Sequence, residues 1–485
     1  MNHIQFFNNK KTFLFILGIC FSLHSVLGQS TNTEYFMKSS FTSASINPAK
    51  RPEKGYIGIP GLTNVMIDYK TNTFGLENFL FPGLGESGKS AWFLNKNVSY
   101  DSFMKNISNQ NYLNLDVDYT PIGFGFYTGD LFLSFDVALK TNAQVNIPKN
   151  VFEFVKKGVP LGESAEGESY DFSKIGASVN AYTEIGFGGS YPLLNNSLVA
   201  GAKVKILLGV GNARVKLDRM LLNIDKYNWS LETEASGRII GLPATYNEDG
   251  HFDGFDTDNF SFGINGFGLG LDLGATFEPG KLFEFLGDMA FMDNITFSAA
   301  LTDIGFISWS DKNAAYLATD PSKIHITGEH NISFEDDSDN SLGSIIDNLA
   351  DDFNDAIALK EDPEAAMKKS SGIGASLNWG AEYALLDKKL NVGFLSTTHF
   401  NTLKTITEFT LAGAYRPASA VEVGLSYSVV HSHFKTIGLA LHLGPAFYIA
   451  SDYVIPTKFN SDFIPVSARA FNLQFGFVVP IGKKR

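Results

Sequence analysis

Residues 112–147 decide the fold, and they read YLNLDVDYTPIGFGFYTGDLFLSFDVALKTNAQVNI. Apolar and polar residues alternate along both halves, which meet at Thr128-Gly129-Asp130. A period of two, folded about a glycine-containing turn, predicts a long antiparallel β-hairpin. Each arm has about 15 residues, roughly three times the usual strand of a soluble protein. Strands of this length are typical of a transmembrane β-barrel, in which apolar side chains face lipid and polar side chains face the lumen.

The same alternation recurs along the rest of the chain. Beside the two arms of the hairpin, we identify these candidate strands: 65–69, 175–187, 200–210, 227–232, 267–274, 295–301, 324–332, 373–381, 390–394, 409–415, 421–429, 437–443 and 471–481. With the two arms of the hairpin, the candidates number 15. Closed single-chain bacterial barrels usually have an even number of strands, so this odd total means that one assignment is wrong. We therefore expect a mostly antiparallel all-β barrel of about 14 strands, with 16 as the alternative.

Residues 1–28 have the form of a cleaved signal peptide. Lys10 and Lys11 precede an apolar stretch, 12–27, and Gly28 supplies a small residue for cleavage, so we expect the mature protein to begin at Gln29. Cys20 is the only cysteine and lies in this stretch, so the mature chain should have no disulfide.

Composition narrows the class of protein further. No later apolar run approaches the roughly 18 residues that a membrane helix needs. The 46 glycines, 43 phenylalanines and 18 tyrosines, with only 18% charged residues, favour the cell outer membrane as the destination after export. A formal net charge of −13 argues against nucleic acid as a partner.

Residues 29–60 are polar and irregular, and residues 61–485 carry the predicted strands. Asn47-Pro48-Ala49 lies in the middle of the first part, and Asn47 before Pro48 favours an extended or turn conformation. Either this part is a plain N-terminal loop, or it is a plug, or hatch, in the mouth of the barrel. Asn47, Pro48 and Ala49 are then the candidate plug motif. Short helices are predicted at 101–107 and 151–158.

Three polar regions are candidate metal sites. Residues 335–364 contain eleven acidic residues and one lysine, with helical spacing of apolar residues, which predicts an acidic, partly helical insertion at 335–370. A solvated loop is the favoured interpretation, and divalent-cation binding is the alternative. The acidic loop 247–258 lacks the residue order of a calcium loop. His431 and His433 have no third ligand, so we expect rim histidines. No metal or cofactor is predicted.

A hydrolase would need a nucleophile, a base and an orienting group in contact. Ser426, His442 and Glu422 share the polar phase of neighbouring strands. Because barrel lumens are polar in any case, we interpret this set as a chance arrangement and expect no enzyme. The Gly-x-Gly runs, such as 266–270, open no predicted helix, so a phosphate loop is excluded.

Four stretches carry a resemblance to known proteins: Ser45-Ile46-Asn47-Pro48-Ala49, the glycine-rich 55–60, the hairpin 113–148 and the strand 201–209. With them the chain resembles an uncharacterised Bacteroidota family of outer-membrane β-barrels, a domain of unknown function. The Asn-Pro-Ala element is similar to one near the N-terminus of the long-chain fatty-acid transporter superfamily, which includes barrels that serve type IX secretion. The resemblance implies about 14 strands and an N-terminal hatch. It implies no ligand residues.

Two functions follow as expectations. The first is binding or passage of a small, hydrophobic molecule through a plugged barrel. The second is a structural or secretion-accessory barrel whose loops, above all 72–111 and 335–370, dock a protein partner. Outer-membrane lipid is the surrounding partner in both.

Overall fold

The computed structural model describes residues 30–85, 89–157, 167–224, 228–241, 244–246, 252–255, 263–283, 292–310, 314–319, 323–327, 359–361, 369–430, 434–444, 446–454 and 469–482. Within these ranges the strands are β1 (Gly55–Gly58), β2 (Asn64–Thr71), β3 (Leu80–Phe81), β4 (Ala91–Trp92), β5 (Gln110–Thr128), β6 (Leu131–Pro148), β7 (Glu168–Asp171), β8 (Gly176–Leu193), β9 (Leu198–Ile224), β10 (Asn228–Ile240), β11 (Ala244–Tyr246), β12 (Phe252–Phe255), β13 (Gly266–Phe277), β14 (Ile295–Trp309), β15 (Ala314–Thr319), β16 (Lys323–Thr327), β17 (Leu359–Glu361), β18 (Ser370–Gly372), β19 (Ser376–Leu385), β20 (Leu390–Phe400), β21 (Thr405–Ala418), β22 (Val421–Val430), β23 (Phe434–Leu443), β24 (Phe447–Ser451) and β25 (Ala470–Ile481).

The described helices are short. The α-helices are α1 (Ser43–Ile46), α2 (Tyr100–Met104), α3 (Lys149–Lys157) and α4 (Pro279–Phe283), and the 3₁₀ helices are Asn32–Phe36, Leu76–Asn78 and Met292–Asn294. Helices α2 and α3 lie where the sequence predicts them. Within the described ranges, no helix is both long and apolar enough to cross a membrane.

Fourteen strands close into an antiparallel barrel, which confirms the predicted strand number and fold class. The ring runs through β2, β5, β6, β8, β9, β13, β14 and then β19 to β25. Strand β25 pairs with β1 and β2, so the last strand meets the first. Closure leaves no unpaired edge in the ring, as a bilayer requires.

The structure corrects the strand assignment at four places. Of the candidates at 227–232 and 324–332, the described residues 228–232 and 324–327 lie in β10 and β16, which pair with each other outside the ring. Strand β10 also pairs with the distal half of β9, because β9 is 27 residues long and continues past its partner β13. The ring instead takes β24, whose five residues are too few to show a clear alternation. Strand β1, assigned to the N-terminal part, pairs with β5 and β25 in the wall.

The two faces of the wall differ as a membrane barrel requires. On β8, Glu184 is fully buried on the inner face, whereas Phe187 on the outer face is 52% exposed. Large exposed apolar side chains recur on the outer face around the ring, among them Leu269, Trp379 and Leu425. These residues suit lipid, and the polar residues of the other phase line the lumen.

The two ends of the barrel also differ. Short turns, such as the one at Gly129, join strands at the end where β1 begins and β25 finishes. Apart from the connection between β13 and β14, the longer connections lie at the other end, which the usual arrangement of outer-membrane barrels makes the extracellular end. There, residues 72–85 and 89–109, α3, β7 and the distal part of β9 share an apolar core, in which Phe103 is fully buried and stacks on Phe93 at 4.5 Å. We call this unit the cap.

Candidate functional site

Residues 30–50, which we call the N-terminal segment, lie against the inner wall of the barrel. The 3₁₀ helix Asn32–Phe36 is completely buried. At its start, the Asp452 carboxylate accepts the backbone N–H groups of Asn32 and Thr33, both at 2.9 Å, and the Thr33 hydroxyl at 2.5 Å. The first N–H groups of a helix have no partner within the helix and carry partial positive charge, so a buried carboxylate satisfies both needs.

A second wall carboxylate holds the segment a few residues further on. Glu422 accepts the backbone N–H of Lys38 on Oε1 and that of Ser39 on Oε2, both at 2.9 Å. Hydrogen bonds to an ionised acceptor are stronger than those between neutral groups. Two carboxylates on one side of the ring therefore fix the main chain of the segment.

Each of the residues considered for a hydrolase forms a hydrogen bond with the N-terminal segment. Ser426 Oγ lies 2.6 Å from Thr33 Oγ1, and His442 Nε2 lies 2.5 Å from Glu34 Oε1. In the register of β22 and β23, Ser426 is opposite Gly438 while His442 is opposite Glu422. Ser426 and His442 are thus separated by four residues along the strands, and the nucleophile–base contact is missing.

Asn47 fastens the far end of the segment to the opposite wall. Its amide nitrogen donates to the carbonyl oxygens of Ala275 at 3.1 Å and Ala299 at 3.4 Å, and its Oδ1 accepts the Ala49 N–H at 2.9 Å. Asn47 is fully buried. Its side chain therefore shapes the turn through Pro48 and also bridges the turn to β13 and β14.

Glycines in the wall make room for Asn47-Pro48-Ala49. A Cβ atom on Gly274 would lie 2.1 Å from Asn47 Oδ1, and one on Gly201 would lie 2.3 Å from the Pro48 carbonyl. Such distances are far below van der Waals contact, so only glycine permits this approach. The resemblance drew attention to 201–209, but the sequence alone did not connect Gly201 with Pro48.

Two cavities border the N-terminal segment. One, of about 270 Å³, opens at the short-turn end and is lined by Lys38, Lys50, Arg51 and Glu382 among others. Burial opposes the charge on Lys50, but the Glu382 carboxylate at 2.8 Å and the nearby Tyr35 outweigh it and raise the pKa of Lys50.

The second cavity, of about 90 Å³, lies between the segment and β5, β6 and β9. The aromatic rings of Phe41, Tyr56 and Phe132 line it, and the charged groups of Asp118 and Lys203 lie on its far side. It therefore combines an apolar wall with a charged one, and we call it the aromatic cavity.

A network of buried charges borders this cavity and continues along the inner wall, and we call it the charge belt. It consists of Asp118, Asp136, Lys140, Glu184, Lys203, Lys205, Asp272 and Asp303, on strands β5, β6, β8, β9, β13 and β14. The sequence reasoning missed it. The usable signal was the presence of lysines and carboxylates in the inner phase of membrane strands, where charges are expected to pair.

Most of the candidate metal regions lie outside the described residues. This holds for His431, His433 and nearly all of 247–258 and 335–364, of which the structure describes only β12 and β17. Among the described residues, no group of three or more His, Cys, Asp or Glu side chains is placed to hold a metal ion.

These features define a transmembrane β-barrel of the outer-membrane class whose inner wall binds the protein's own N-terminal segment. The model of the Family of unknown function (DUF5723) matches residues 48–452, so the chain belongs to this family. No curated protein matches the sequence.

Several solved barrels are similar to the chain over nearly its whole length. The monoaromatic hydrocarbon channel TodX, in a deletion mutant, is 10% identical, covers 94% of both chains and has a TM-score of 0.34. The monoaromatic hydrocarbon channel CymD is 8% identical, covers 96% of both chains and has a TM-score of 0.31. A Pseudomonas aeruginosa FadL homologue is 8% identical, covers 93% of this chain and 97% of its own, and has a TM-score of 0.23. The barrel assignment rests on the strand pairing and not on these low scores.

Proposed function

We propose that the protein is a plugged outer-membrane barrel that binds or passes a small hydrophobic molecule, with the N-terminal segment as the plug. The observation that carries the proposal is the binding of the segment's main chain by Asp452 and Glu422. A plain loop would not need buried carboxylates on the wall. We further propose that the signal peptide is cleaved after Gly28, so that the plug begins close to the mature N-terminus.

The contacts of the plug are of a kind that a barrel can make and break. Many are hydrogen bonds to wall side chains, and a net hydrogen bond contributes only about 0.5–1.5 kcal/mol because water replaces the lost partner. Wetting of the lumen would therefore offset much of the cost of breaking these hydrogen bonds. Tyr35, Phe36, Met37 and Ile46 also form an apolar cluster with Leu395 and four alanines of the wall, which adds a hydrophobic cost to release.

The aromatic cavity supports a hydrophobic ligand. Phe41 belongs to the plug, while Tyr56 and Phe132 belong to the wall, so a ligand held here would touch both. The volume of about 90 Å³ is below the roughly 300–1,000 Å³ of typical ligand pockets. Binding of anything larger than a few atoms therefore requires the plug to shift, which couples occupancy to opening.

Native mass spectrometry of tagged protein, extracted gently from its own outer membrane, tests the proposal. We expect a retained hydrophobic molecule in the wild type and its loss in Ala44→Phe, which fills the aromatic cavity from the plug. Ala177→Phe, on the lipid-facing side of β8, adds the same ring elsewhere and should retain the molecule. An empty wild-type barrel, or equal retention in both variants, contradicts a ligand in this cavity.

The second candidate is an accessory barrel that docks a protein through its extracellular side. The cap favours it, because four separate parts of the chain build one apolar core there. In the same mass spectra, a stoichiometric protein partner on an empty barrel would support this function. Absence of any protein partner after gentle extraction and cross-linking would count against it.

A further inference from the structure

We propose that the charge belt is a second barrier in the lumen and that its excess of carboxylates makes the polar passage selective for small cations over anions. This inference rests on the proposed plug, since the passage opens only when the plug moves. The plug binds mainly to β13, β14 and the strands from β20 to β25, whereas the belt spans β5 to β14. Release of the plug therefore leaves half of the lumen occupied by the belt.

Glu184 is the centre of the belt. It is fully buried, and its carboxylate lies 2.9 Å from Lys140 Nζ and 2.8 Å from Lys203 Nζ. Lys203 also contacts Asp136 at 2.8 Å. Side chains from the neighbouring strands β6, β8 and β9 thus meet inside the lumen. The long alkyl chains of the lysines occupy space that would be filled by water if the residues were small and polar.

Lys205 forms the second half of the belt. Its ammonium group lies 2.7 Å from Asp272 and 2.6 Å from Asp303. Asp303 has a φ of 55°, and its N–H donates to Asp272 Oδ1 at 2.7 Å where the register of β13 and β14 shifts. A non-glycine residue in this left-handed conformation is uncommon and re-aims its side chain. This local distortion of the wall places the carboxylates of Asp272 and Asp303 next to Lys205.

Cavities lie on both sides of the belt. The aromatic cavity touches Asp118, Asp136 and Lys203, and a cavity of about 40 Å³ further along the lumen touches Asp118, Lys140 and Asp303. Asp118 lines both cavities and pairs with Lys140 at 3.7 Å. An ion that moves from one cavity to the other therefore passes this ion pair.

The charges of the belt do not balance. Five carboxylates face three lysines, a formal excess of two negative charges. Carrying excess charge in a narrow, partly desolvated lumen is costly unless counter-ions enter. Rings of carboxylates select cations in channels for the same reason. The belt should therefore favour cations and repel anions.

The test is the reversal potential of single barrels in planar bilayers under a KCl gradient. The full chain carries Asp452→Asn with Glu422→Gln to release the plug. In this background we expect a small, cation-selective conductance. Lys203→Met should raise the preference for cations, and Asp272→Asn should lower it, each by about tenfold, because one charge some 6 Å away in a water-like dielectric changes the occupancy of a cation and of an anion by about threefold in opposite directions. Lys149→Met removes a lysine of α3, outside the lumen, and should leave the preference unchanged.

The direction of these changes distinguishes an effect of charge on ion selectivity from a general loosening of the barrel wall. Folded barrel is confirmed first by heat-modifiable mobility on gels. Shifts in opposite directions for Lys203→Met and Asp272→Asn support the belt. Unchanged selectivity, or the same shift in both, overturns it. If each variant conducts equally with and without the two plug-releasing substitutions, the proposal of a plug is wrong. The signs of the two shifts then still test the proposal of a selective belt.

Discussion

Asn47 shows how much one side chain can contribute to docking. Its amide satisfies two wall carbonyls and one backbone N–H at once, all of them away from solvent. Loss of such an amide removes three buried hydrogen bonds, each of which contributes about 0.5–1.5 kcal/mol.

Asn47→Ala should therefore weaken plug docking by at least tenfold while the barrel stays folded. Hydrogen exchange of residues 30–50 measures this directly, and we expect faster exchange there and no change in the ring strands. Asn97→Ala, on the exposed connection near Leu84, is the matched control and should leave exchange unchanged. Slow exchange in Asn47→Ala would show that the motif does not hold the plug.

Gly274 gives a second prediction at the scale of one residue. Gly274→Ala places a methyl group where Asn47 Oδ1 now lies, so we expect protease sensitivity of the plug similar to that of Asn47→Ala. Gly413→Ala, whose added Cβ meets nothing closer than 3.9 Å, should behave as the wild type. Equal protection of both variants would contradict the close approach.

The sequence could mark Asn47, Pro48 and Ala49 as a unit but could not name their partners. Asn47 and Ala275 are 228 positions apart. Alternation along a strand tells which phase faces the lumen, yet it does not tell which lumen residue meets which turn. Asp452 shows the same limit, because a residue just after a five-residue strand has no periodicity to identify it.

At the scale of elements, the 3₁₀ helix Asn32–Phe36 depends on Asp452. Asp452→Asn removes the negative charge that faces its first N–H groups, so we expect loss of plug protection against protease by about tenfold to 150-fold, the range for one hydrogen bond to a charged group. Asp387→Asn, in an exposed turn, is the control for the same chemical change. If the two substitutions had equal effects, the charge on Asp452 would not matter.

The cap is a separate element with its own prediction. Phe103→Ala should destabilise the cap by about 3–5 kcal/mol, the usual cost of a large cavity in an apolar core. Because this core lies beyond the ring, the barrel should keep its heat-modifiable gel mobility while the cap becomes sensitive to protease. Phe297→Ala, on the lipid-facing side, should spare the cap. Unfolding of the whole barrel in Phe103→Ala would show that the cap is not independent.

Strand alternation predicted most of the ring, and its failures have physical causes. Strands β10 and β16 alternate as well as ring strands do, since a sheet that projects beyond the barrel also has one buried face. Strand β1 was hidden among glycines and proline, where side-chain pattern is weak. The pairing of β1 with β25 depends on closure of the whole ring, which no local pattern contains.

At the scale of the whole molecule, the lumen is filled from two sides. The plug binds the wall at β13, β14 and the strands from β20 to β25, and the charge belt joins the strands from β5 to β14 with ion pairs. With the proposed cleavage after Gly28, the plug is joined to the wall by the chain at one end only and can leave as a unit, whereas each belt residue is fixed to a strand. This division makes the plug the movable part and the belt the fixed part.

A reversible lock tests the movable plug most directly. Thr33 and Gly424 lie close enough for a disulfide, since a Cβ on Gly424 would be 3.1 Å from Thr33 Cγ2, and the mature chain is expected to contain no other cysteine. In planar bilayers, barrels with Thr33→Cys and Gly424→Cys should stay closed when oxidised and open intermittently after reduction. Identical conductance in both redox states would contradict a plug that moves.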